Sequence, residues 1–356
     1  MSDPPDADPP HTASTHGQPL EPWFPDVAIA PPPDPALEPE GFVVLADGDV
    51  RLHFLDWGGP ADALGPDPGD PAADPATTAA PVLLLPGLLQ PAWTWAPVAR
   101  RLAAVQRTVI ADLRGHGLSD APMGGYDLET LAADAVAVAE GAGLLGTGSL
   151  VLAGHGFGAI VAAAAAARLG AACAGLVMVD GGWERLETTT GLDVDEFLRG
   201  LDEPPEVLRS MAAYLADRRG FDPLTWDTDQ ERAARDAVVE TGAGHVVRAV
   251  RPHVVEAAVR TMFACDPAEV LAEVGAPVFA LVALGAGDPA ATDLRLTELR
   301  RTAGARGAAA RGPVRVAGFP NVGHNLMRYR PADVTAAILA LPGSGSGSDD
   351  AAEGRA

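Results

Sequence analysis

The sequence predicts an α/β protein with a doubly wound, mostly parallel eight-stranded sheet that is flanked by helices. Two observations lead to this fold class. Short apolar runs alternate with helical stretches along most of the chain, which is typical of strand–helix–strand units. Most of these runs are apolar at nearly every position, as expected for parallel strands that are buried on both faces. Right-handed crossovers between such strands would place helices on both sides of the sheet.

Eight strands are expected along the chain. They are FVVLA (42–46), VRLHFLDW (50–57), VLLLP (82–86), RTVIADL (107–113), SLVLAG (149–154), GLVMVD (175–180), PVFALVAL (277–284) and VRVAGF (314–319). The turn Asp47-Gly48-Asp49 joins the first two strands and favours an antiparallel hairpin. Helices are expected in WAPVARRLAAV, in DLETLAADAVAVAEGAG, after Ala159 and in PADVTAAILAL.

One long stretch, about 183–265, contains no convincing strand. It holds amphipathic helical pieces such as DEFLRGL, PEVLRSMAAYLADRRG and HVVEAAVRTMF. We interpret it as a helical cap inserted after the strand GLVMVD. Because open α/β sheets bind ligands at the carboxyl ends of their strands, such a cap would roof the binding pocket.

Three segments differ in composition from the predicted folded domain, which covers residues 41–342. Residues 1–40 are acidic and rich in proline, and residues 61–80 form an acidic low-complexity loop. Residues 343–356 begin with a Gly/Ser repeat. These segments contain too little apolar surface to offset the entropy of ordering them, so we expect a disordered first tail and a flexible last one.

The bulk composition excludes several classes of partner. The chain has 356 residues, a formal net charge of −23 and no lysine, so binding to nucleic acid or to an anionic membrane is not expected. Its first 20 residues contain neither a basic start nor an apolar stretch, and its two cysteines define no disulfide framework. We therefore expect a cytoplasmic protein whose partner is a small-molecule substrate or ligand. The oligomeric state stays open.

The stretch GHGFG (154–158) lies between an apolar strand and an alanine-rich helix. It would be the G-x-S-x-G nucleophile elbow of a serine hydrolase if Gly156 were serine. Glycine adopts the strained backbone angles of such a turn without a Cβ clash, but it has no side chain that can attack a substrate. The pattern predicts the shape of an elbow and an inert nucleophile position.

Six short motifs occur in a consistent order. They are PGLLQPAW, DLRGHGLSD, GHGFG, VDGGW, GAGD and VGHN. On these motifs the chain resembles the α/β-hydrolase fold superfamily from Gly41 to Pro342. The resemblance implies a hydrolase-like protein with a degenerate catalytic triad. Proline stands at position 86, where the family usually has histidine before the glycine of this loop.

The resemblance also implies a role for particular residues. His324 in VGHN would be the base, and Asp288 in GAGD would be the acid that orients it, with Asp180 as the alternative. The backbone N–H groups of Phe157 and Leu88 would form the oxyanion hole.

Other chemistry finds little support in the sequence. His155 and Ser119 are poor candidates for a replacement nucleophile, and Cys173 and Cys265 lack the electropositive surroundings that activate a thiol. No CxxC, HExxH or phosphate-binding glycine motif occurs, so we expect neither a metal nor a cofactor.

Three functional hypotheses remain. The protein could act on a small, largely apolar, ester-like or acyl-like molecule by general-base catalysis, because covalent serine catalysis is disfavoured. It could instead be a non-catalytic pseudoenzyme that binds a ligand or serves as a scaffold. It could also be an ordinary esterase-type hydrolase disarmed by a recent or engineered Ser-to-Gly change.

Overall fold

A computed structural model describes residues 30–60, 79–201, 210–285 and 289–341 of the chain. Its main sheet has eight strands, which are β1 (Glu40–Ala46), β2 (Val50–Asp56), β3 (Val82–Leu85), β4 (Thr108–Ala111), β5 (Leu150–His155), β6 (Cys173–Val179), β9 (Val278–Leu284) and β10 (Arg315–Pro320). Their order in the sheet is β1-β2-β4-β3-β5-β6-β9-β10. All eight strands predicted from the sequence are therefore confirmed.

The strand directions also follow the prediction. β1 and β2 form an antiparallel hairpin, and β2 pairs antiparallel with β4. The remaining neighbours, from β4 through β3, β5, β6 and β9 to β10, are parallel. The chain runs from β3 to β4 on one side and then returns to place β5 on the other side of β3. Such a reversal opens a crevice at the carboxyl ends of β3 and β5, where α/β proteins bind ligands.

Helices cover both faces of the sheet. On one face α2 (Leu128–Gly141), α3 (Phe157–Leu169) and α9 (Pro267–Ala272) pack on Leu83, Leu85, Leu150 and Leu152. On the other face α1 (Ala96–Leu102) and α12 (Pro331–Leu339) pack on Val82, Leu84, Val151 and Ala153. Alternate residues of one strand thus enter opposite cores, which is why the strands are apolar at every position.

The region between β6 and β9 contains both helices and strands. Its helices are α4 (Leu186–Thr190), α5 (Val194–Leu201), α6 (Met211–Phe221), α7 (Thr228–Asp236) and α8 (Pro252–Ala264). The expectation that it lacks strands is wrong, because β7 (Val238–Glu240) and β8 (Val246–Arg248) form a small antiparallel pair. Each of these strands has three residues, too few to show an alternating pattern.

Part of the predicted acidic tail lies against α1. Arg101 Nη1 donates to the carbonyl of Pro31 at 2.8 Å, and Arg100 Nη1 donates to the carbonyl of Leu37. Arg100 also forms a two-bonded ion pair with Asp229 of α7, at 2.9 Å for each bond. The buried guanidinium of Arg100 thus holds the end of this segment in place. Amino-acid composition alone does not predict such a contact. Residues 1–29, 61–78 and 343–356, the rest of the three low-complexity segments, lie outside the described ranges, as does Pro342 of the predicted domain.

Two further helices belong to the candidate site. α10 (Pro289–Gly304) follows β9, and the short α11 (Leu326–Tyr329) follows β10. In the described parts of the chain, no helix has the length and apolar composition needed to cross a membrane.

Candidate active site

The turn between β5 and α3 has the sharp geometry of a nucleophile elbow. Gly156 stands between the two elements with φ 51° and ψ −113°, a conformation that residues with a side chain rarely adopt. Its N–H donates to the carbonyl of Val179 at 3.0 Å, and its carbonyl accepts from the N–H of Ala159 at 3.1 Å. The turn therefore directs position 156 outward from the end of the sheet, between strand and helix.

The glycines around this turn are required by close backbone approaches. A Cβ on Gly154 would lie 2.1 Å from the carbonyl oxygen of Gly158, and one on Gly158 would lie 2.2 Å from that of Pro86. A Cβ on Gly181, just after β6, would lie 2.8 Å from the Cα of Gly156. The elbow thus closes only because small residues flank it on both sides.

His324 faces the elbow from the loop between β10 and α11. Its Nδ1 lies 2.6 Å from Oδ2 of Asp180, and because a carboxylate only accepts, this nitrogen donates. The proton on Nδ1 leaves Nε2 as an acceptor. Nε2 lies 3.4 Å from the point that a Cβ on Gly156 would occupy. The imidazole therefore directs an acceptor nitrogen toward position 156, as the candidate role of a base requires.

Asp180, the alternative acid of the sequence analysis, is the carboxylate that binds His324. It directly follows β6, is 1% exposed and has a positive φ of 47°. Its Oδ1 accepts from the N–H of Ala283 at 2.8 Å and from Nη2 of Arg295 at 2.9 Å. Burial by itself would raise the pKa of Asp180, but the hydrogen bond from His324 and the charge of Arg295 outweigh it and keep this pKa below its ordinary value.

Asp288, the acid preferred from the sequence, lies outside the described residues. In the described site the Nδ1 of His324 is bonded to Asp180. We therefore propose Asp180 as the acid that orients His324.

Arg295 is a residue of this site that sequence reasoning missed. It projects from α10, binds Asp180 and also donates from Nε to Glu184 Oε1 at 2.9 Å. Burial raises the pKa of Glu184 against the lowering effect of Arg295. No local signal marks Arg295, since it is one of several arginines in a charged helix and its partners lie more than a hundred positions away.

His155 links the elbow to the loops around it. The ring is 1% exposed, its Nε2 lies 3.1 Å from the carbonyl of His324, and its Nδ1 lies 2.9 Å from Gln90 Oε1. Gln90 in turn donates from Nε2 to Asn325 Oδ1 at 2.8 Å. Burial lowers the pKa of His155 to about 3, so the ring is neutral at physiological pH and donates to only one of the two oxygens beside it. His155 is therefore a structural member of the elbow rather than a second base.

Two backbone amides stand where an oxyanion hole is expected. Phe157 is the first residue of α3, where helix N–H groups are unpaired and the helix dipole favours negative charge. Leu88 lies in the loop after β3, which is tied back by a bond of 2.9 Å from the N–H of Gly87 to Gln90 Oε1. Within the described ranges, neither amide donates to an acceptor.

A cavity of about 920 Å³ lies between the loop after β3 and the region that contains α5 to α8. Gln90 and Asn325, the neighbours of the two histidines, belong to its wall. Leu89, Val250 and Val255 supply apolar surface, and several arginines supply charge. The cavity therefore reaches Asn325, the residue after the candidate base, and the inserted region supplies much of its wall, whereas His324 and Gly156 are not wall residues.

The two cysteines and Ser119, the other candidate nucleophiles of the sequence, have structural surroundings that do not activate them. Burial raises the pKa of both the Cys173 and the Cys265 thiol to about 11, which keeps them protonated. Ser119 Oγ donates to the carbonyl of Asp112 at 2.8 Å and lies in a different loop from the elbow. Over the residues that the structure covers, no group of three or more His, Cys, Asp or Glu side chains is arranged to hold a metal ion.

A doubly wound sheet with an elbow after its central strand, and a carboxylate-bound histidine after its last one, defines an α/β-hydrolase-type protein. Comparison with known proteins agrees with this class. A family model described as "Alpha/beta hydrolase family" matches residues 82–338, so the chain belongs to the alpha/beta hydrolase family.

Individual relatives are more distant. N-formylmaleamate deformylase of Pseudomonas putida is 37% identical over 138 residues, 38% of this chain and 43% of that protein. Epoxide hydrolase 4 of Mus musculus is 31% identical over 145 residues, 39% of this chain and 35% of that protein. The chain thus matches less than half of the length of either relative.

Solved structures resemble the whole fold. The crystal structure of E-2-(acetamidomethylene)succinate hydrolase superposes with a TM-score of 0.62 at 20% identity, over 85% of this chain and 99% of that one. At this identity the likeness concerns the fold.

Proposed function

We propose that this protein is a hydrolase in which His324, oriented by Asp180, activates water directly toward an acyl carbon, without a covalent enzyme intermediate. The observation that carries the proposal is the position of His324 Nε2, 3.4 Å from where a Cβ at Gly156 would lie. The base is aimed at the elbow, but the elbow bears no nucleophile. A water molecule or substrate hydroxyl bonded to Nε2 would occupy the place of a serine oxygen.

The reaction can be written with this chain's own groups. Water attacks the carbonyl carbon as His324 Nε2 takes one of its protons, and the carbonyl oxygen becomes an oxyanion near the N–H groups of Phe157 and Leu88. The tetrahedral intermediate then collapses. The bond to the alcohol or amine breaks, and the imidazolium returns its proton to that leaving group. Asp180 stabilises the imidazolium throughout.

The rate enhancement that a general base can supply limits the substrates that such a site could process. Loss of the nucleophile from a serine triad lowers kcat by about 10⁶, whereas a general base contributes about 10² to 10⁴. Direct attack by water can therefore give enzymatic turnover only with a reactive ester or an activated amide. The similarity to a deformylase and an epoxide hydrolase supports a hydrolytic reaction in general and does not specify the substrate.

The decisive experiment compares the parent with His324→Ala on activated esters and N-acyl amides, with His245→Ala as the control. His245 is an exposed histidine in the turn between β7 and β8. It is not itself a wall residue, although the next residue, Val246, is. We expect His324→Ala to lower kcat/KM by about 10² to 10⁴ and His245→Ala to leave it unchanged. Mass spectrometry of the quenched parent reaction should detect no acyl–protein adduct.

Two results would overturn the proposal: equal turnover in the parent and His324→Ala, or an acyl adduct on the parent chain. Circular dichroism and thermal melting of both variants establish that they fold.

Gly156 itself favours a second candidate, a pocket that binds a ligand without turning it over. In that case no substrate of the panel is hydrolysed faster than in buffer. A ligand raises the melting temperature to the same extent in the parent and in His324→Ala.

A further inference from the structure

The wall of the cavity carries positive charge in a protein that is strongly negative as a whole. Four arginines, Arg218, Arg248, Arg251 and Arg328, line it together with two acids, Asp217 and Glu256. The chain has a formal net charge of −23. A local excess of cations at this one place would attract a small anion that the rest of the surface repels.

Arg328 is the arginine nearest in sequence to the candidate base. It lies on α11, and Asn325 of the same loop also lines the cavity. Its Nε donates to Thr225 Oγ1 at 2.5 Å and its Nη2 to the carbonyl of Asp222 at 3.0 Å. Both acceptors are neutral groups that fix the position of the guanidinium. The Asp222 carboxylate feels this charge, but Asp222 is not part of the cavity wall.

Arg251 approaches the cavity from another element. It is the N-cap residue of α8, and its guanidinium makes no hydrogen bond or ion pair with any residue in the described ranges. Arg248 at the end of β8 donates from Nη2 to the carbonyl of Leu201. Arg218 stacks over Tyr214, with its Cζ 5.2 Å from the centre of the ring. Among these arginines, Arg251 and Arg328 are the two that we assign to a ligand.

One of the two acids is bound by an arginine outside the wall. Glu256 is engaged by Arg260, whose Nε lies 3.0 Å from Glu256 Oε1 and which is not a wall residue. Asp217 is the other acid of the wall and has interactions of its own. Four arginines against two carboxylates leave a formal excess of two positive charges in the wall.

We propose that the cavity binds a small molecule that carries a carboxylate, held by Arg328 and Arg251. Guanidinium groups pair with carboxylates through two parallel hydrogen bonds, which gives both affinity and orientation. Leu89, Val250 and Val255 receive the remainder of the ligand, so the expectation of a largely apolar molecule applies to one part of it only. Together with the proposed hydrolysis, on which this step rests, the substrate is a carboxylate-bearing ester or amide.

Binding can be tested without turnover. The probes are succinamate and its neutral counterpart succinamide, which have the same size and differ in one carboxylate. Thermal shift and isothermal titration calorimetry should show that succinamate binds at least about tenfold more tightly than succinamide, a difference of about 1.4 kcal/mol. The affinity for succinamate should fall as the salt concentration rises.

Alanine variants of the two arginines test whether succinamate binds at the cavity wall. Arg328→Ala and Arg251→Ala should each weaken succinamate binding about tenfold or more, whereas Arg235→Ala should not change it. Arg235 is a matched control, because it pairs with Glu231 on the surface of α7 and does not line the cavity. Arg251→Ala keeps the test valid if Arg328→Ala fails to fold, since the Arg251 guanidinium holds no other described segment in place.

The inference is wrong if the two probes bind equally, or if folded Arg251→Ala binds succinamate like the parent. Its failure differs from failure of the proposed hydrolysis. His324→Ala should retain succinamate binding, and His324-dependent hydrolysis of neutral esters alone would contradict the carboxylate inference while leaving the hydrolase proposal intact.

Discussion

A Cβ added to Gly156 would lie 3.4 Å from Nε2 of His324, an ordinary van der Waals separation. The neighbouring glycines of the elbow differ from it, because a Cβ on Gly154 or Gly158 would lie 2.1–2.2 Å from a backbone oxygen. Position 156 therefore has room for a side chain directed at the histidine. What opposes a side chain there is the backbone conformation, with φ at 51°.

Gly156→Ser should restore a covalent serine mechanism. We expect an acyl–protein intermediate, a pre-steady-state burst and ester hydrolysis at least about 10² faster than in the parent. The positive φ should lower the free energy of unfolding by about 1–3 kcal/mol.

Gly156→Ala is the matched control, because it carries the same backbone strain without an oxygen. It should lose the same stability in urea denaturation and form no adduct. If Gly156→Ser folds and forms no acyl adduct with any activated ester, then the elbow, His324 and the two amides do not form a competent site.

Asp180→Asn should remove most of any His324-dependent activity. The amide N–H₂ would donate to Nδ1 and move the imidazole proton to Nε2, which then cannot act as a base. In a serine-protease triad the corresponding exchange lowers kcat by about 10⁴, and we expect a loss of similar order here. Steady-state kinetics over a pH range measure it.

Glu184→Gln provides the comparison for Asp180→Asn. It removes the other carboxylate bound to Arg295 but leaves the bond between Asp180 and His324 in place. It should change activity less than about tenfold. Equal losses in the two variants would mean that Asp180 acts through the Arg295 cluster and not by orienting His324.

Gly158→Ala should destabilise the protein by at least about 1–3 kcal/mol, because its Cβ would lie 2.2 Å from the Pro86 carbonyl oxygen. Gly220→Ala is the control. It lies in α6 with no atom within 4 Å of an added Cβ, so it should stabilise the helix by about 0.5–1 kcal/mol. Urea unfolding at constant m-value measures both changes. A Gly158→Ala protein as stable as the parent would contradict the close approach of β3 to α3.

Acid should destabilise the fold through His155. Burial lowers the pKa of this ring from its ordinary value of 6.5 to about 3, so the unfolded chain binds a proton more readily than the native one between these values. The contribution is fully present above about pH 6.5 and is lost as the pH falls toward about 3.

Urea unfolding in a pH series tests this dependence. His155→Asn should show a shallower loss of stability with acid than the parent, while His245→Asn, at an exposed position, should follow the parent. Parallel curves for the parent and His155→Asn would show that His155 does not titrate in this way.

The two thiols should be nearly unreactive in the folded protein. Burial raises the pKa of Cys173 and Cys265 to about 11, so the thiolate fraction is small at neutral pH. An aromatic disulfide reagent should therefore react much more slowly with the native chain than with the chain in urea. Rapid reaction of one thiol in the native state would identify it as accessible and ionised.

Much of the fold could be predicted because its signals are local. The eight strands are apolar runs that are visible in the sequence itself, and all eight occur in the sheet. The glycines of GHGFG predict a tight turn for the same reason. β7 and β8 could not be predicted, because strands of three residues form only where a neighbouring segment pairs with them. Residues 30–39 contact α1 through Arg100 and Arg101, which composition does not reveal.

The sequence by itself determined the eight strands of the main sheet and the tight turn at GHGFG, with glycine at position 156. These properties follow from hydrophobic periodicity and from the chemistry of single residues. Tertiary structure alone decided that His324 bonds to Asp180, 144 positions away, and that Arg295 binds the same carboxylate. It also decided that Arg251 and Arg328 share one cavity wall. Such contacts depend on which strand ends and loops the fold brings together, and no local pattern in the chain records them.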